Sequence, residues 1–141
     1  MGQFGMSSSP LDVQIHALGR IAPDSPALLR KLQQLKPDHE FSHFRAICLV
    51  FIRNPDAKAA AKLEELLFTP GMSGYAIRNF KDTLLANRAL YNDTSVRNSQ
   101  LKELYLAKAL CRCNPQHKEA QKILSDYAHG LMGYYAIFAR S

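Results

Sequence analysis

No apolar run in the 141 residues approaches the ~20 that a helix needs to cross a bilayer, so no membrane span is expected. Cysteine is scarce: three residues, an odd number, make poor material for a disulfide framework and point to a reducing, cytoplasmic setting. Residues Met1 to Ser9 hold no basic group and no long apolar stretch, so they do not read as a signal peptide and are expected to form a flexible leader. Glycine stands at seven positions, none of them in the G-x-G-x-x-G order that cradles a dinucleotide phosphate. No segment alternates cleanly between apolar and polar residues, so strands are not expected either.

What is present is enough apolar material for one folded unit over 10–141: 47% of the chain is hydrophobic and 21% charged. A small mark recurs in it, a helix-capping residue followed by proline, at Ser25-Pro26, Asn54-Pro55 and Asn114-Pro115. A capping side chain accepts the orphan N–H groups of a helix start, and proline at the first helical position loses no hydrogen bond. Each mark therefore predicts a helix start. The prolines are 29 and then 60 residues apart, which fits a repeat of about 30 residues with one unmarked copy. The implied fold is all-α, a right-handed α-α superhelix of stacked αα-hairpins.

The periodicity supplies the hairpins. Leu11, Ile15, Leu18 and Ile21 follow spacings of four and three and predict a first helix. Leu28, Leu29, Leu32 and Leu35 predict its partner, ended by Pro37 because the residue before proline disfavours the helical region. A second pair follows. Asp38 is expected to cap a helix from Phe41 to Ile52, apolar nearly all round and so sandwiched, and Ala59, Ala60, Leu63, Leu66 and Leu67 mark its partner, closed at Thr69-Pro70-Gly71. An offset of 31 maps Ile21 onto Ile52, Leu32 onto Leu63 and Leu35 onto Leu66. Residues 71–98 are irregular, with a loop at Gly71 to Gly74, a helix across Tyr75 to Leu90 and a break at Asn92 to Ser95. Ser99 is then expected to cap an apolar helix through Leu101, Leu104, Leu106, Leu110 and Cys113. Ala120, Ile123, Leu124 and Tyr127 mark its partner, and Leu131, Tyr134, Tyr135 and Phe138 cover the open end of the stack.

Several segments carry a family resemblance: Pro70 to Gly74, Asp93 to Asn98, Leu104 to Cys113, and Tyr127-Ala128 with Gly133 to Tyr135. Over about 15–138 the chain resembles short bacterial HEAT-like repeats, and in particular the helical region at the C-terminal end of some bacterial FAD-dependent oxidoreductases. The resemblance implies a non-catalytic helical appendage or a stand-alone relative. It carries over no catalytic residue, and without a glycine-rich phosphate turn the chain is expected to hold no flavin or other cofactor.

Four constellations remain. Cys111-x-Cys113 followed by His117 has soft-metal residue types, but positions two apart on a helix point about 200° apart. His39 and His43 beside Glu40 have zinc-like spacing without a third ligand or an H-E-x-x-H order, so no metal is expected. The net charge is +6, and five charges of that excess fall in 71–141. The excess forms either a basic face or the solvated outer sides of helices, where Lys102, Lys108, Arg112, Lys118 and Lys122 recur without a run. Arg78, Lys81, Arg88 and Arg97 beside Tyr75 and Tyr91 are the candidate partner-binding residues, because loops that break a regular array carry recognition. Tyr127, Tyr134, Tyr135 and Phe138 either present a partner surface or close the core. The expected role is a scaffold or protein-interaction module. The alternative is a nucleic-acid-binding repeat, with phosphate-driven affinity from the basic second half.

Overall fold

The computed structural model describes residues 10–22, 26–74, 94–128 and 138–140. The described residues are all-helical, with no strand among them. Helix α1 is Pro10–Ile21, α2 Pro26–Gln33 and α3 Phe41–Arg53; a 3-10 turn at Ala57–Ala59 runs into α4, Ala60–Leu67; α5 is Thr94–Cys113 and α6 Lys118–Ala128. No helix among the described residues is long and apolar enough to cross a membrane. The helix expected across Tyr75 to Leu90, and Leu131, Tyr134 and Tyr135 of the closing segment, lie outside the described residues.

Helix α5 organises the rest. Leu101, Leu104, Tyr105, Leu106, Ala107, Ala109 and Leu110 are all buried, and at about 100° per residue they point to every side of the helix. Such a helix must be enclosed, and α3, α4 and α6 pack against it. Helix α3 is buried almost throughout from Phe41 to Ile52, as its all-round apolar pattern predicts. It meets α5 at Phe44, with Lys102 Nζ 4.8 Å from the ring centroid. About a third of a turn away, α3 meets α1 at Val50. A Cβ on Gly19 would lie 2.8 Å from Val50 Cγ2, closer than a side chain tolerates, so glycine is what lets α1 settle on α3. Helix α4 finds its main partner in α5 rather than in the α3 that precedes it, burying Leu63, Leu66 and Leu67.

Four boundaries differ from the sequence expectation, and at Asn54 and Asn114 the reason is local. Pro26 opens α2, but Asn54 and Asn114 close helices instead of starting them. The Asn54 backbone N–H donates to Val50 O at 2.8 Å and its side-chain amide to the same carbonyl, so the residue satisfies the end of α3. Asn114 N–H likewise donates to Leu110 O, while its Oδ1 accepts from Gln116 N–H in a local turn. The starting caps sit further on: Asp56 Oδ1 accepts from Lys58 N–H at 2.9 Å, and His117 caps α6. Helix α3 begins at Phe41 with no side-chain cap, so Asp38 does not serve there. Ser99 lies inside α5, which starts at Thr94. The Thr69-Pro70-Gly71-Met72 turn is as expected: Met72 N–H donates to Thr69 O, with Pro at the second position and Gly71 at φ +88° at the third.

Ile21 is the clearest correction. Two successive steps of three fall short of a full turn by about 60° each, so Ile21 points about 120° away from buried Ile15. It is 84% exposed, whereas Ile52, its counterpart at an offset of 31, is 8% exposed. The other two offset pairs, Leu32 with Leu63 and Leu35 with Leu66, are buried alike. Truncating Leu104 to Ala should therefore cost about 2–5 kcal/mol in urea denaturation. Ile21→Ala should change stability by no more than ~0.5 kcal/mol.

Candidate partner-binding cleft

Helix α6 presents Glu119, Lys122, Ile123 and Asp126 at spacings of three, one and three, one face of a helix. Opposite them stand Phe68 at the end of α4 and the Ser73-Gly74 turn, and Glu103 of α5 lies between. Together these residues line a cleft of about 630 Å³, within the range of ligand pockets. Three carboxyl groups against one ammonium give it an acidic character in a chain of net charge +6.

Glu103 is the residue that joins the walls. It is 1% exposed, and its carboxylate is held from two directions: Oε1 accepts from Tyr127 Oη at 2.6 Å and Oε2 from Gly74 N–H at 2.6 Å. One buried side chain thus ties the loop after α4 to helix α6. The Tyr127 hydroxyl also reaches Gln100 O at 3.4 Å, so α6 is pinned to α5 over a full turn. A buried carboxylate pays for its desolvation only through such bonds.

The α6 wall is set by His117. Its Nδ1 accepts the Ala120 backbone N–H at 3.1 Å, the third donor of the helix start, and its Nε2 lies 3.1 Å from Glu64 Oε1 of α4. With Nδ1 accepting, the ring proton sits on Nε2 and is donated to Glu64. The Phe68 ring stacks on the imidazole at 5.9 Å between centroids, and the His117 side chain is only 13% exposed. Capping, the hydrogen bond to Glu64 and stacking therefore fix this one side chain at the start of α6.

On the far side of α5, Lys108 is 4% exposed, which corrects its reading as a solvated position. Its Nζ donates to Phe138 O at 2.6 Å and lies 4.2 Å from the Phe138 ring centroid, while that ring stacks on Tyr105 at 4.3 Å. Burial, and behind it the Arg112 guanidinium, hold the Lys108 ammonium below its ordinary pKa. Lys102 is also lowered by burial, with Asp38 acting in the opposite sense. Phe138 and Tyr127 thus close the core rather than forming a partner surface. Tyr134 and Tyr135 lie outside the described residues.

The cysteine and histidine constellations are not assembled into ligand sets. Cys113 turns inward, with Sγ accepting from Asp56 N–H at 3.5 Å, while Cys111 is half-buried and His117 is engaged with Glu64. Burial is the main cause raising the Cys113 thiol pKa; burial, then the neighbouring Cys113, pushes that of Cys48 far above its ordinary range. Both stay protonated and inert. His39 and His43 do meet, edge to face at 5.3 Å, with His39 Nδ1 accepting from Lys36 N–H. Among the described residues no group of three or more His, Cys, Asp or Glu is placed to hold a metal ion.

The candidate residues Tyr75, Arg78, Lys81, Arg88 and Tyr91 lie outside the described residues. Arg97 stands in α5 with its side chain outside them as well. The cleft residues Phe68, Glu103, Glu119, Lys122 and Asp126 are new to the structure. The signal that could have found them was the Glu119, Lys122, Asp126 spacing on one face of a marked helix. No protein-family model, curated protein or solved structure matches the chain.

Two substitutions test the cleft frame. Tyr127→Phe removes one donor from a buried carboxylate and should cost about 1–3 kcal/mol in chemical denaturation, and pairing it with Glu103→Gln should recover part of that loss. His117→Ala should cost about 0.5–2 kcal/mol as a lost helix cap, while His117→Asn, which can still cap, should cost less by the same measurement.

Proposed function

We propose that this chain is a non-catalytic, HEAT-like helical scaffold, a right-handed α-α superhelix that recognises a partner protein, as a stand-alone module or as an appendage of an oxidoreductase. The observation that carries the reading is the acidic cleft. It is built from three separate elements, and its frame is held by Glu103, Tyr127 and His117 through structural bonds. The polar groups best placed for chemistry are thus committed to holding helices together, which supports a binding role over a reactive one. The cleft wall at Ser73-Gly74 opens the irregular segment 71–98, so Tyr75, Arg78, Lys81, Arg88, Tyr91 and Arg97 extend the proposed contact region along the chain.

The chemistry of the cleft favours a basic peptide segment. Glu119 and Asp126 face a lysine or arginine side chain, and Phe68 and Ile123 offer apolar contact for its methylene stem. Phosphate would be repelled from the same surface, so the nucleic-acid alternative needs the basic residues of 71–98 instead. The experiment is capture of partners by the immobilised chain, repeated with Glu119→Lys/Asp126→Lys and with the four basic residues Arg78, Lys81, Arg88 and Arg97 changed to Ala. A protein partner held by the cleft should lose at least about tenfold in retention with the charge reversal, the size of one or two charge-assisted contacts. If retention instead falls steeply with salt, disappears after nuclease treatment and is lost with the quadruple variant, the nucleic-acid reading replaces this one.

A further inference from the structure

A second cavity lies where the last turns of α1 and α3 come together. It has a volume of about 280 Å³ and is lined by His16, Gly19, Arg20, Val50, Arg53 and Asn54. Arg20 belongs to the last turn of α1, one turn beyond His16 on the same face, and Arg53 is the final residue of α3. The contact between Gly19 and Val50 brings the two helix ends together, and Arg20 and Arg53 both line the hollow between them.

The charges are the unusual part. No acidic residue is among the described residues lining the cavity, and neither Arg20 nor Arg53 has an ion pair or hydrogen bond among the described residues. Two like charges drawn to one concavity with no counter-charge among its described lining residues repel each other, a cost that an anion between them removes. A basic residue in the last turn can also serve to balance the helix dipole. Here that service is already supplied in part by backbone closure, since Leu18 O accepts from Ala22 N–H at 2.8 Å and Val50 O from Asn54 N–H at 2.8 Å. Arg20 and Arg53 line the cavity together with His16.

We propose that this cavity is a binding site for a tetrahedral oxyanion, the phosphate of a small organic phosphate or free phosphate, gripped between Arg20 and Arg53. Guanidinium forks match phosphate oxygens two at a time, and two forks from different helices can hold opposite edges of one tetrahedron. The volume admits a phosphoryl group with a small organic remainder and excludes a dinucleotide. The site shares no residue with the acidic cleft, so it stands or falls independently of the partner-binding reading.

The test is a titration of ¹⁵N-labelled protein with inorganic phosphate, at ionic strength held constant with sodium chloride, with glycerol phosphate and acetate in parallel arms. Saturable shifts are expected at the amides of Gly19, Arg20, Arg53 and Asn54. Arg20→Ala and Arg53→Ala should each weaken binding by at least about tenfold, as for loss of a charge-assisted pair, and Arg30→Ala on α2 should leave it unchanged. Both arginines are exposed, so the variants should keep the wild-type melting transition, checked on the same samples. Tighter binding of glycerol phosphate than of phosphate marks an organic phosphate as the ligand, and the reverse order marks the free ion. Absence of saturable shifts, acetate binding as tightly as phosphate, or an Arg30→Ala effect equal to the others would overturn the assignment.

Discussion

Enclosure of α5 is the constraint on which the remaining structure depends. A helix that points leucines to every side cannot sit on a surface, so α3, α4 and α6 must surround it, and any polar side chain along it must find a partner inside. Among the described residues, Glu103 and Lys108 are the two charged side chains of α5 that are buried. Glu103 solves the problem by binding the loop after α4 and the Tyr127 hydroxyl; Lys108 does so by binding Phe138 O. What holds the segments around α5 in place is therefore partly the need to satisfy α5 itself. The acidic cleft follows from this, since the bonds that neutralise the burial of Glu103 also set the distance between its two walls.

The same reasoning separates the two cavities. Along α5, Lys102, Glu103 and Lys108 are bonded to backbone groups or to the Tyr127 hydroxyl, and they act as fasteners. At the ends of α1 and α3 the close contact is apolar, Gly19 against Val50, and among the described residues the side chains of Arg20 and Arg53 make no ion pair that holds the helices. Charges that a fold does not use for its own cohesion are the ones available to a ligand. That contrast is why the arginine pair, rather than the better-organised Glu103 cluster, is where an anion is expected.

Much of this was legible in the sequence, and the failures have common causes. Periodicity located the buried faces of α2, α3 and α4, because Leu32, Leu63 and Leu66 recur at helical spacing and bury alike. It misplaced Ile21 because a run of three-residue steps drifts round the helix, so a chain of allowed spacings is not one face. The Asn-Pro pairs misled because asparagine serves helix ends as well as starts: Asn54 and Asn114 each close the preceding helix, and the next start is passed to Asp56 and His117.

The cleft was hidden for a different reason. Lys108 reads as a member of a charged outer face, since charge between apolar positions usually means solvent, and nothing in the spacing singles out Glu103. In the middle of α5 the apolar positions occupy all directions, so little outer face is left, and Glu103 and Lys108 between them are forced inward. The inference was available in principle from Leu101, Leu104, Leu106 and Leu110 alone, which leave Glu103 no side of the helix free of a leucine within about 100°. Which hydroxyl and which backbone N–H would meet it was not available, because Gly74 and Tyr127 are 29 and 24 residues away and only the packing of α4 and α6 on α5 brings them together. A buried carboxylate in an all-apolar helix thus announces its need for partners in sequence, while the identity of those partners, and the cleft they frame, belongs to the fold.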